Sequence, residues 1–142
     1  VARTWIGTPY HHQASVKGVG CDCLGLVRGV YAELYGAPAE EPPAYSRDLA
    51  EATGVETLLN AAGRHLVHVP PFDEMCAGDV LVFRLRPGAM AKHCGIATKI
   101  DAAGMACRMI HAFESAAVCE VSLTPWWQKR FAAVFRFPEV KQ

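Results

Sequence analysis

Gly18-Val19-Gly20-Cys21-Asp22-Cys23-Leu24-Gly25-Leu26-Val27 is the stretch on which the reading of this chain turns. A glycine-bracketed loop runs into a cysteine, and beyond it Leu26, Val27, Val30, Tyr31 and Leu34 fall on one face of a 3.6-residue helix. Gly36 and Pro38 supply the stop signals. Asp22 stands just ahead of the helix, where a carboxylate caps free backbone N–H groups. Cys23 therefore falls in the first turn, where the positive end of the helix dipole favours thiolate over thiol. That is where a nucleophilic cysteine belongs. It also suits a small apolar residue buried at a helix start.

The 142 residues are read as one domain with an adequate core. Hydrophobic residues make up 51% and charged residues 20%, which excludes a disordered chain. Lys plus Arg equals Asp plus Glu at 14 each, so no bulk charge points to nucleic acid or an anionic membrane. No apolar run approaches the ~18 residues of a membrane span, and the first residues lack the apolar segment of a signal peptide. The six cysteines do not require a disulfide framework, because a core of this size stands without one. Cys94, Cys107 and Cys119 lie in apolar, strand-like surroundings and are expected as buried thiols. The chain reads as made in a reducing compartment.

Residues 2–7 look like the end of a short helix, and Thr8 to Gly20 like a loop. The spacing predicts a helix over 23–35, a Pro-rich surface connection over 37–47 and a second helical region over 48–65. Thr53 and Glu56 have capping-box spacing there. After about Val67 the period changes. Val80–Phe83 is a short apolar strand. His93–Ile100 and Met105–Phe113 flank Asp101-Ala102-Ala103-Gly104 as a hairpin, Ala116–Leu123 alternates, and Ala132–Phe137 closes the series. Helices first and consecutive strands afterwards predict an α+β fold, an antiparallel sheet of about five strands with the helices on one side.

A thiol at its ordinary pKa is only slightly ionised near neutrality, so a nucleophile needs a basic neighbour. His65 and His68 sit near the end of the second helical region, where solvated or capping roles suit them. His11 and His12 lie in the loop before Cys23 and read most simply as an exposed pair. His93 and His111 fall on strands expected to be adjacent, where one ring can orient the other. Gly95 shares the His93 face and leaves room for a close approach. Each histidine alone also fits a satisfied, half-buried position.

Thr8-Pro9-Tyr10, Asp22-Cys23-Leu24-Gly25-Leu26-Val27, Ala77-Gly78-Asp79-Val80-Leu81-Val82-Phe83, His93-Cys94-Gly95-Ile96-Ala97 and Ile110-His111-Ala112 follow one another in this order. In this the chain resembles the NlpC-type (NlpC/p-sixty) cell-wall cysteine peptidases, from Trp5 to about Phe137. Within them it is most similar to the phage-type and gene-transfer-agent peptidases, with an insertion at 37–76 between the nucleophile helix and the sheet. The resemblance implies a papain-like core in a single peptidase domain over 1–142. It implies Cys23 as nucleophile, His93 as general base and His111 as the third, orienting residue. Tyr10 matches a tyrosine lining the substrate cleft, and Asp22 the acidic residue before the nucleophile. Leu24 stands where the family usually has Ser, and His11-His12-Gln13 replaces a segment ending in paired glycines. Those departures bear on substrate preference rather than on the reaction.

The implied chemistry is thioester-forming hydrolysis of an amide, with the oxyanion held by the Cys23 N–H and a second donor, for which Tyr10 and Gln13 are the candidates. The implied substrate is a peptidoglycan stem peptide, commonly cut between D-glutamate and the following diamino acid. No cofactor or metal is expected. The phage-type likeness implies a protein made in the cytoplasm, carried on a phage-like tail with tail or hub proteins as partners. It acts in the periplasm or cell wall of the target cell, with no nucleic-acid partner and no membrane insertion. Three rivals stand beside this reading. Cys21-x-Cys23 and His93-Cys94 offer metal-ligating atoms, but without zinc-knuckle spacing. A catalytically silent tail or hub protein could keep the fold for binding. An amidase or acyltransferase could use the same site.

Overall fold

The computed structural model describes residues 1–40, 57–70, 74–114 and 116–139. A 3₁₀ turn, Ala2–Trp5, and a two-stranded ribbon, β1 (Ser15–Val16) with β2 (Gly20–Cys21), precede helix α1 (Cys23–Tyr35). Then come α2 (Thr57–His65), β3 (Val67–Val69), β4 (Val80–Phe83), β5 (His93–Ile100), β6 (Ala106–His111), β7 (Cys119–Ser122), α3 (Pro125–Gln128) and β8 (Phe131–Arg136). Strands β3 to β8 form one sheet in the order β3-β8-β4-β5-β6-β7, antiparallel at every pairing. The fold is α+β, as expected, with six strands in this sheet. The additional strand, β3, is three residues long and joins the edge beside β8.

Helix α1 begins where the sequence places it. The Asp22 carboxylate accepts from the Gly25 N–H at 2.7 Å, and Gly36 ends the helix in the left-handed region (φ 78°), its N–H on the Ala32 carbonyl at 2.9 Å. Leu26, Val27 and Val30 are buried against the sheet face formed by Val80, Val82, Cys94, Ile96, Ile110 and Phe135. Each fully buried aliphatic chain such as Leu26 or Ile110 contributes about 2 kcal/mol. The opposite face, with Leu81, Phe83, Ala97, Met109 and Val134, is packed by Met75, Leu85, Trp127 and Phe131. Gly25 lets the ribbon close on the helix. A Cβ there would lie 1.8 Å from the Ala14 carbonyl oxygen, and Ser15 Oγ donates to the Gly25 carbonyl at 2.6 Å.

Asp79, 1% exposed, fastens the start of β4 to the end of β8. It accepts from Arg136 Nε at 2.8 Å, Arg136 Nη2 at 3.0 Å and the Cys76 N–H at 2.8 Å. Helix α2 has no buried residue, in keeping with a place outside the core, and Leu58, Leu59 and Ala62 pack at the core's margin. The Thr53–Glu56 capping box and, within the segment 37–76, residues 41–56 and 71–73 lie outside the described residues. Three expectations need correcting. The 8–20 loop contains the β1–β2 ribbon, which is too short to leave a periodic signal. Residues 116–118 stand ahead of β7 instead of in it. Cys107 and Cys119 are half-buried, Cys119 on the edge strand β7, whereas Cys94 on the inner β5 is buried. All six thiols are free.

Candidate active site

Cys23 is the first residue of α1 and is half-buried at one end of the sheet. Asp22 holds the turn on two sides, one carboxylate oxygen on the Gly25 N–H and the other on the Gln13 N–H at 2.8 Å. The Asp22 carbonyl takes the Leu26 N–H, so the Cys23 N–H has no acceptor among the described residues and is open to a developing oxyanion. The thiol lies 3.7 Å from the Lys92 carbonyl oxygen and has the side chains of Cys94 and His93 as neighbours. The Cys94 S–H also donates to the Cys23 carbonyl at 3.3 Å.

These contacts decide which sulfur ionises. The Cys94 thiol, and with it the His93 imidazole, hold Cys23 well below the ordinary thiol value, against burial and the negative charge of Asp22. Cys94 is driven the other way by the same Cys23 contact and by burial, so it stays protonated. Burial first, and the charges of Asp22 and Cys23 after it, push Cys21 up to about 11. Of the two cysteines flanking Asp22, only Cys23 is poised as a thiolate.

His93 opens β5 and His111 closes β6. Their rings meet at Nε2 of His93 and Nδ1 of His111, 2.9 Å apart. Gly95 makes this possible: a Cβ there would stand 2.6 Å from Met109 Sδ and 3.2 Å from His111 Cβ. With Nε2 occupied, Nδ1 of His93 is the ring atom left for the thiol. Burial, followed by the charge of His93, lowers His111 to about 4, so it is neutral near pH 7. A neutral His111 protonated on Nε2 accepts at Nδ1, so the His93 Nε2–H donates to it. Both histidines are 4% exposed.

Aromatic rings wall this pair in. Trp127 lies 5.3 Å from each imidazole, Phe113 5.1 Å from His93 and Phe83 6.0 Å from it. No sequence pattern marks Trp127 or Phe113 as part of the site, and Cys94 stands out there only as a metal-ligating atom beside His93. The Trp126-Trp127 doublet is visible in the sequence, but its neighbourhood depends on how α3 folds back over β4 to β6.

A cleft of about 420 Å³ runs from this centre along α1. Tyr10, His12, Asp22, Cys23, His93 and Phe113 line its catalytic end, and Leu58, Ala62 and His65 of α2 its far wall. His12 Nδ1 is 4.0 Å from the Asp22 carboxylate. Gln13 does not line the cleft. Its backbone serves Asp22, with φ of 65° in the left-handed region. Leu24, at the position of the expected Ser, faces the cleft. At the far end His65 Nε2 lies 2.8 Å from Glu40 Oε1 and Arg64 Nη2 2.9 Å from the same oxygen. Among the described residues no group of three His, Cys, Asp or Glu side chains could hold a metal ion, and no helix is long and apolar enough to cross a membrane.

A cysteine at a helix start, with a histidine pair on the neighbouring strands, has the arrangement of a papain-like thiol site. Residues 7–136 match the model of the NlpC/P60 family, and the chain belongs to that family. Its members are in general cysteine peptidases that act on peptidoglycan. No curated protein sequence matches the chain. Among solved structures it is similar to an NlpC/P60 family protein from Bacillus cereus, with TM-score 0.63 and 20% identity over 96% of this chain and 37% of that one. It is also similar to a lipoprotein-like NLP/P60 family protein from Staphylococcus aureus, with TM-score 0.58 and 19% identity over 97% of this chain and 39% of that one. The chain thus spans less than two-fifths of either protein, and at these identities the likeness speaks for the fold.

Proposed function

We propose that this chain is a peptidoglycan hydrolase that cuts an amide bond of the stem peptide through Cys23, His93 and His111. The observation that carries this reading is Cys23 at the start of α1 beside His93, itself hydrogen-bonded to His111 at 2.9 Å, with Cys23 and His93 lining one cleft. The Cys23 thiolate attacks the scissile carbonyl, and the tetrahedral oxyanion takes the Cys23 N–H. His93, as imidazolium, gives its Nδ1 proton to the leaving amine. It then deprotonates the water that resolves the thioester, while His111 holds the ring throughout. Tyr10 lines the cleft beside the thiol and is assigned the second oxyanion contact in preference to Gln13. Asp22 acts by holding the helix start.

The bond between D-glutamate and the diamino acid is the proposed point of cleavage. Delivery by a phage-like tail into the target cell's wall is the proposed setting. Both rest on the motif order and the 37–76 insertion. Digestion of purified peptidoglycan with mass analysis of the fragments tests activity and bond together. Fragments with a new amino terminus at the diamino acid support the reading. Intact wall after treatment with protein whose Cys23 alkylates readily would overturn it, and new cross-links or transferred acyl groups would point to an acyltransferase.

A further inference from the structure

Helix α1 turns two faces to two different surroundings. Leu26 and Val30 go into the core, Val27 borders both core and cleft, and Leu24, Arg28 and Tyr31, at i, i+4 and i+7, continue the cleft side. Arg28 is the anomaly on that side. Its Nε is buried with no hydrogen-bond partner, although a buried donor without an acceptor is costly. No carboxylate pairs with its guanidinium among the described residues. The other cations lining the cleft are engaged: Arg64 holds Glu40, and Arg86 and Lys92 each have interactions of their own. The cleft walls around Arg28 are mostly aliphatic and aromatic, with Val27, Tyr31, Leu58 and Ala62 close along the two helices. A guanidinium there attracts a carboxylate more strongly than one in open water does.

We propose that Arg28 is a specificity-determining residue that receives a free carboxylate of the substrate. The proposal rests on the hydrolase reading and names what that substrate must carry. Arg28 is five residues along α1 from Cys23, so their Cα positions are ~7.5 Å apart along the helix axis. At roughly 3.5 Å per extended residue, that is about two residues from the attacked carbonyl. Peptides whose carboxylate at that position is amidated leave Arg28 unpaired and bind less well.

The test uses two chloroacetyl dipeptides that alkylate Cys23, one ending in a free carboxylate and the other in the carboxamide, with labelling read by mass at the Cys23 peptide. Wild-type protein is expected to take the carboxylate reagent roughly tenfold faster or more, as for a charge-assisted contact. Arg28→Gln should erase that preference and keep the wild-type rate with the neutral reagent, which also reports a folded site. Arg28→Lys should restore part of the preference. Equal rates for the two reagents in wild-type protein overturn the proposal without any variant, and so does a preference that survives Arg28→Gln. Labelling does not depend on wall hydrolysis. Discrimination by a protein that leaves peptidoglycan intact would sink the hydrolase reading and leave the carboxylate site standing.

Discussion

The two faces of the central sheet differ in what they bring to Cys23. The face under α1 is aliphatic, with Val80, Val82, Ile96 and Ile110, and it meets Cys23 through Cys94, whose S–H donates to the Cys23 carbonyl. The opposite face is aromatic around Phe83 and Trp127, and it meets the nucleophile through His93, backed by His111. His93 and Cys94 are consecutive on one strand. The two-residue period of β structure sends them to opposite faces, and at the end of the sheet both still reach the same sulfur. The lesson is a division of labour. In the proposed mechanism one face fixes where Cys23 stands, and the other supplies the proton.

That division can be broken from either side. Cys23→Ala removes the atom both faces serve, and hydrolysis is expected to fall by about 10⁴-fold or more with the melting temperature little changed, checked by fragment release and calorimetry. Gly25→Ala strikes the aliphatic side's foundation. The added Cβ meets the Ala14 carbonyl, so the ribbon and the first turn of α1 must part, at a cost of about 3 kcal/mol read from urea unfolding.

The aromatic side is probed by pH. His111 titrates at about 4 in the folded chain and near 6.5 when unfolded, so between these values the unfolded chain binds the extra proton. Stability from this group therefore declines as pH falls from about 6.5 towards 4. His111→Asn should show a flatter melting temperature across that window than wild type. The smallest effect belongs to Cys94→Ala, which removes the first support of the Cys23 thiolate. The acid limb of the pH–rate profile should move upward with only a few-fold loss at neutral pH, and Cys94→Ser, which keeps a donor, should move it less.

Much of this was legible in the chain because it is written in local chemistry. The Asp22 cap and the Gly36 stop define α1, and alternation defines β4 to β6, so Cys23, His93 and His111 could be singled out and the structure brings them into contact. What escaped is set by tertiary approach. Ribbon β1–β2 and strand β3 are two or three residues long and have no period to detect. Trp127 reaches the histidines from a four-residue helix more than ten residues further along the chain than His111. Gln13 looked like a donor for the substrate by virtue of its amide, yet its backbone is what the fold uses. Arg28 gave no signal in the sequence beyond a polar residue on an apolar helix. What sets it apart is its buried Nε without a hydrogen-bond partner, with no carboxylate on its guanidinium among the described residues.

The central claim is that His93 and Cys94 together make Cys23 a thiolate, and the pH dependence of its alkylation by iodoacetamide tests it directly. Read at the Cys23 peptide, the rate should stay high well below the ordinary thiol range, and His93→Ala should move the midpoint upward. A midpoint in the ordinary range for wild-type protein, or one unmoved by His93→Ala, would contradict the account.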